Sequence, residues 1–364
     1  MPKPVIEIAA DVIVVGAGII GLAVAERMLM LGAKVTVLER SLTGRESSWA
    51  GGGILAPLYP WNYADEVIRL ADRSARQFPV WTGNLLRETG IDPEYEQSGL
   101  LMLPTYDEAA ALHWCAMQAV PVEQRTMAGF LGDGTQVSGQ ALFFPGIAQV
   151  RNPKLLQALQ RRIMQLGGRI IENCAISGFK TANGYIQSVQ SACGEFRADH
   201  YIVCAGAWSK AVLGEHTLLS DIKPVKGQML LFKYDVPPIS AIFVQNDVYL
   251  IPRRDGHLLV GSTLEKTGFD KQPTQAAYDY LFSCAQAMLP SLGRKSAIQH
   301  WAGLRPGSPH NIPTIGQHPE ILNLWINSGH FRYGVTMAPT SAEILANEIT
   351  RIPQPFDISP YRPK

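Results

Sequence analysis

Hydrophobic positions first gather in one block near the start of the chain. From Asp11 to Met28 it reads DVIVVGAGIIGLAVAERM, and a second apolar run, KVTVLE at Lys34–Glu39, ends in an acid. The pattern predicts strand, glycine turn, helix and strand, the βαβ unit that binds a dinucleotide. Gly16 permits the tight turn, Gly18 lets the backbone approach a pyrophosphate, and Gly21 lets the helix pack close to the sheet. The helix N-terminus then offers N–H groups and its positive dipole end to phosphate. Glu39, about 20 residues beyond the glycines, suits a ribose 2′-hydroxyl.

Farther on the periodicity alternates between helix and strand. Ser41–Pro57, rich in glycine and serine, reads as a loop in which Gly51, Gly52 and Gly53 would let backbone approach a flat ligand. Apolar residues at helical spacing predict a long helix over Ala64–Thr89, interrupted near Pro79. A strand at Gly99–Pro104 and helices at Asp107–Ala119 and Pro153–Leu166 follow. Next come a strand at Arg169–Glu172, a hairpin about Asn183-Gly184, and a strand at His200–Cys204 that runs into AGAWS. Ile222–Leu264 alternates as β-strands, with a turn at Arg254-Asp255-Gly256 between Val248–Pro252 and Leu258–Thr263. A helix at Gln275–Met288, a strand at Leu324–Asn327, the turn GHFRYG and a helix at Ala338–Thr350 complete the chain.

This order predicts an α/β (α+β) two-domain protein. A discontinuous Rossmann-like domain (1–82, 145–220 and 301–364) would have a β-rich domain (83–144 and 221–300) threaded through it.

Composition narrows the function. At 364 residues, 46% hydrophobic, 17% charged and net charge +1, the chain has no basic patch for nucleic acid or anionic membrane. Its five cysteines show neither CxxC nor metal spacing, which suits buried thiols in a reducing compartment. The apolar run Val12–Ala25 is too short to span a membrane and lacks a basic leader, so a cytoplasmic protein without a transmembrane segment is expected. A homo-oligomer is compatible with the chain and not specified by it.

Motifs for metal hydrolysis or serine acyl transfer, HExxH and GxSxG, are missing from the sequence, and no metal site is expected. Two arginines stand in unusual company. Arg305 lies in HWAGLRPGSP and Arg332 in GHFRYG, each among aromatic, small or turn residues and away from other charges. A guanidinium in such a setting can fork two hydrogen bonds onto a small acid, although it can equally tie loops to backbone carbonyls. Tyr249, on an apolar strand, could add a bond to the same carboxylate or sit in the core.

Six ordered segments carry a resemblance: VGAGIIG at Val15–Gly21, SSWAGGGILAP, CAGAWS at Cys204–Ser209, KGQML at Lys226–Leu230, WAGLRPGSP at Trp301–Pro309 and GHFRYGVTMAPTSA. Together they resemble the D-amino-acid oxidase family of flavoproteins, nearest to its glycine-oxidising, ThiO-type branch in thiamine (thiazole) biosynthesis.

The resemblance implies FAD and a fold of the glutathione-reductase/p-hydroxybenzoate-hydroxylase type. It also implies oxidative deamination of glycine, sarcosine or small D-amino acids, with dioxygen reduced to hydrogen peroxide. By the same resemblance, Gly16, Gly18, Ile19, Ile20 and Gly21 meet the pyrophosphate, and Glu39 and Arg40 the adenosine ribose. Glu46, Ser47 and Gly51 to Gly53 line the flavin loop, and the backbone of Ala175 meets the adenine. Gly206, together with His330, Phe331, Arg332, Tyr333, Gly334, Val335 and Thr336, surrounds the flavin. Arg305 and Tyr249 grip the substrate carboxylate, with Arg332 beside them. Sarcosine oxidases in this family tether flavin through a cysteine near the C-terminal loop; none stands there, so FAD is expected to be non-covalent. Asp247 and Leu264 occupy positions that vary among relatives. Two other readings are a D-amino-acid dehydrogenase that passes electrons to quinone and a non-catalytic flavin-binding regulatory protein.

Overall fold

A computed structural model describes residues 9–131, 140–218 and 222–364. Two sheets organise them. In the first, Thr314–Gln317, Leu324–Ser328, Gly194–Val203, Ala9–Val15, Val35–Leu38 and Arg169–Ile171 lie side by side. All of these pairings are parallel except that between the first two strands. The hairpin Ile176–Ala182 and Tyr185–Ser191 extends it from Gly194–Val203. Its turn residues, Asn183 and Gly184, have φ of 53° and 75°, the left-handed pair that a two-residue hairpin needs.

Apolar runs without alternation predict strands buried on both faces, and that is what surrounds this sheet. One face packs on Ile19–Met30, Asp65–Thr89, Asn152–Gln165 and Gly334–Thr350, through Leu22, Leu70, Phe78, Leu159, Met337 and Leu345. The opposite face is covered by the hairpin and by Ser209–Leu213, through Ile13, Val189, Phe196 and Leu213.

The second sheet runs Gln299–Gly307, Lys223–Lys233, His257–Gly261, Val248–Pro252, Ile242–Gln245, Leu100–Met102, Gln140–Phe144 and Glu123–Thr126. Its neighbours are antiparallel apart from Ile242–Gln245 with Leu100–Met102. The helix Gln275–Met288 backs it through Leu281, Ala285 and Met288. Among the described residues no helix is long and apolar enough to cross a membrane.

Several expectations are corrected. Asp65–Thr89 is one continuous helix with Pro79 inside it; the apolar stripe Val67, Leu70, Phe78 and Leu85 is fully buried, and that packing outweighs one missing N–H. Ser41–Pro57 is not all loop, because Ser47–Ala50 forms a helical turn. Asn152 Nδ2 holds that turn by donating to Ser48 O at 2.8 Å and Gly51 O at 3.0 Å. The last helix begins at Gly334 instead of Ala338. Gln299–Gly307 lies wholly in the second sheet, so the chain crosses back after Gly307 and not at residue 301. The division placed at 220/221 falls outside the described residues.

Candidate active site

An open cavity runs from the glycine turn of the first sheet to the face of the second. At one end Gly16 has φ of 104°, and a β-carbon there would approach Cys204 O to 2.7 Å. A β-carbon on Gly21 would overlap Gly16 O, so this glycine lets the helix seat against the turn and does not itself line the cavity. Gly18, Ile19 and Ile20 do line it, where the helix Ile19–Met30 opens without a side-chain cap. Ser48 Oγ accepts from Ile19 N at 2.9 Å and fixes that opening.

Glu39 is buried at the end of its strand. Its Oε2 accepts from Ala17 N at 2.8 Å and its Oε1 from Ser41 N at 3.0 Å, so the acid fastens the glycine turn while lining the cavity. Arg40 lies 3.6 Å from the centroid of the Trp208 ring and pairs with Glu46. Ala175 is not part of the wall, which is built by its neighbours Cys174 and Ile176; its carbonyl accepts from Ala192 N at 2.9 Å.

Midway, Gly51, Gly52 and Gly53 form one side of the cavity. A β-carbon on Gly52 would come within 2.5 Å of Ile251 Cδ1 and 3.1 Å of Tyr249 Cε2, so only glycine admits this close approach of loop to sheet. Arg253 locks the loop: its Nη2 donates to Gly52 O at 2.7 Å, and its Nη1 to Gln149 Oε1 at 2.8 Å and Val150 O at 2.9 Å. Burial pulls its pKa down to about 10. Sequence reasoning missed this residue because RRDG reads as an exposed turn; Trp208, Asn152 and Ser262 also lacked a signal.

Arg305 and Tyr249 face each other at the far end. Arg305 Nη2 donates to Ser262 Oγ at 2.6 Å and Nη1 to Thr263 O at 3.1 Å, while the Tyr249 hydroxyl lies 3.5 Å from Met229 Sδ. Burial lowers the Arg305 pKa, and the hydroxyl of Tyr249 opposes that shift.

All seven residues from His330 to Thr336 line the cavity, as do Ser47 and Gly206. His330 Nε2 meets Ser341 Oγ at 2.9 Å, and burial drives the imidazole pKa down to about 3. Tyr333 is buried with its hydroxyl donating to that of Tyr63 at 2.5 Å, and Thr336 Oγ1 donates to Ile54 O at 3.0 Å. Arg332 Nη1 donates to Asp247 Oδ1 at 3.0 Å.

The site fits a dinucleotide. It offers a glycine cradle that side chains would fill, a helix N-terminus at Gly18–Ile20 for phosphate, and a cavity leading to the half-buried guanidinium of Arg305. Fold and cavity together define a two-sheet α/β protein that binds a dinucleotide. Residues 11–348 match the FAD dependent oxidoreductase family, and the chain belongs to it; FAD is its cofactor.

Among similar proteins, a glycine oxidase of Pseudomonas aeruginosa is 41% identical over 97% of this chain and 98% of its own. The bifunctional protein ThiO/ThiG of Trichormus variabilis is 30% identical over 93% of this chain and 52% of its own length. The crystal structure of glycine oxidase from Geobacillus kaustophilus superposes with a TM-score of 0.90 at 25% identity, covering 98% of both chains.

Proposed function

We propose that the chain carries out FAD-dependent oxidative deamination of glycine and of other small amino acids such as sarcosine and D-alanine. The products are the imine, its 2-oxo acid and ammonia, with dioxygen as acceptor and hydrogen peroxide formed. The observation that carries this reading is the Arg305 guanidinium beside the Tyr249 hydroxyl, in the wall of the cavity that begins at the glycine turn. The glycine oxidase relative and the ThiO/ThiG relative support the substrate class and a place in thiamine (thiazole) biosynthesis.

Gly18, Ile19 and Ile20 would hold the pyrophosphate, Glu39 and Arg40 the adenosine, and Gly51–Gly53 with His330–Thr336 the flavin, which when bound supplies the two-electron acceptor. Ser262 and Thr263 aim the fork of Arg305, so a carboxylate docks in one orientation on it and on Tyr249. His330, neutral and held on Ser341, takes no proton from substrate. The amine must therefore arrive unprotonated, and the work of the protein is orientation in a dry pocket.

Purified holoenzyme mixed anaerobically with glycine, sarcosine or D-alanine should lose its yellow absorption, and under air it should release peroxide. A flavin that none of them bleaches would overturn the reading. Bleaching without peroxide, with turnover only on an artificial acceptor, would replace the oxidase by a dehydrogenase.

A further inference from the structure

Charge counting in the cavity points to a residue that sets which acids enter. Arg305 and Arg332 both line it, and each raises the cost of charging the other. One substrate carboxylate answers only one of these cations. The second already has a protein partner: Asp247 Oδ1 accepts from Arg332 Nη1 at 3.0 Å, with the arginine side chain 13% exposed and the aspartate 60% exposed.

Asp247 is placed for this by the backbone. Asn246 and Asp247 form the turn between Ile242–Gln245 and Val248–Pro252, with φ of 49° and 67°. The strand that begins at the next residue delivers Tyr249, so one hairpin supplies a carboxylate-binding hydroxyl and a fixed competing carboxylate. Burial alone would weaken the charge on Arg332, and the Asp247 carboxylate opposes that loss.

We propose that Asp247 masks Arg332 against a second substrate anion, so that at this end of the pocket Arg305 is, among the described residues, the cation without a carboxylate partner, and the pocket selects amines carrying one carboxylate over those carrying a distal second one. This rests on the amino-acid oxidase reading above. A dicarboxylic amine such as iminodiacetate, with one carboxylate on Arg305, would bring the other towards Arg332, whose guanidinium Asp247 already holds. The repulsion and the occupied donor both act against it, which is selection by an unfavourable contact. Because Asp247 is more than half exposed, solvent moderates the effect.

Two substitutions test the mask without breaking the turn. Asp247→Asn removes the charge in a residue that tolerates φ above zero, and Asp247→Gly removes the side chain where glycine is at ease. In each variant the kcat/KM ratio of iminodiacetate to glycine should rise about tenfold over wild type. A second readout needs no turnover: glutarate and pentanoate, five-carbon acids of two charges and one, are titrated anaerobically against the flavin absorption of the holoenzyme. Glutarate should bind about tenfold more tightly in the variants, with pentanoate changed by less than about threefold. Equal changes for both acids, or none for glutarate, would overturn the mask. Failure of the wild type to oxidise glycine would sink the proposed activity alone, since the glutarate-to-pentanoate comparison still decides the role of Asp247.

Discussion

The guanidinium of Arg305 occupies the space that a β-carbon on Gly227 would need. The two residues stand on adjacent antiparallel strands, where Gly227 pairs with Gly303 and Arg305 with Val225. Glycine on one strand is what lets the arginine of the other lie back over the sheet towards Ser262 and Thr263. Gly227→Ala adds one methyl group in an ordinary strand conformation, so the consequence should fall on the arginine. We expect a rise in KM for glycine of about tenfold to a hundredfold, with FAD retained. Steady-state kinetics on the yellow protein checks it, and an unchanged KM would show that the guanidinium has room elsewhere.

Removing the guanidinium itself should cost more. Arg305→Ala deletes a charged anchor in the half-buried cavity wall, worth on the order of 2–5 kcal/mol in kcat/KM. The signature is a large rise in KM with normal flavin content. Wild-type kinetics in this variant would end the assignment of Arg305 to the substrate carboxylate.

Glu39 supports the turn as well as facing the cofactor cavity. Glu39→Ala leaves the N–H groups of Ala17 and Ser41 without their acceptor, at about 1–3 kcal/mol each if no water replaces it. FAD should be lost faster on dialysis, followed by its fluorescence in the dialysate. Retention as tight as wild type would show that the acid matters neither to the turn nor to the ribose.

Stability should depend on pH through His330. Its folded pKa of about 3 lies below the ordinary 6.5 because of burial, so the unfolded chain binds the extra proton more readily. The contribution is complete above about pH 6.5 and is lost as pH falls toward 3, at up to about 1.4 kcal/mol per pH unit. Denaturant midpoints between pH 4 and 7 should fall more steeply for wild type than for His330→Asn. Parallel curves would mean that the imidazole is protonated in the fold.

The glycine turn, the two strands around it and the hairpin at Asn183-Gly184 were legible because each is a local requirement: positive φ, an uninterrupted apolar run, or a close approach only glycine permits. Arg305 and Arg332 were legible as oddities, polar residues in segments that otherwise exclude charge. Pro79 misled because local propensity counts a lost hydrogen bond and misses the buried stripe that repays it. Ser47–Ala50 misled for the opposite reason, since its helical turn depends on Asn152 about a hundred positions away.

What the amino-acid order determined by itself is therefore the glycine turn, the class of chemistry and a set of candidate residues for it. Those properties reside in short segments whose backbone has few alternatives. Only the tertiary structure decided that Arg253 locks the glycine loop, that Gly227 makes room for Arg305, and that Asp247 already holds Arg332. Each of these joins separate elements across strand pairings or between the two sheets, and a contact of that kind exists only after the sheets have formed.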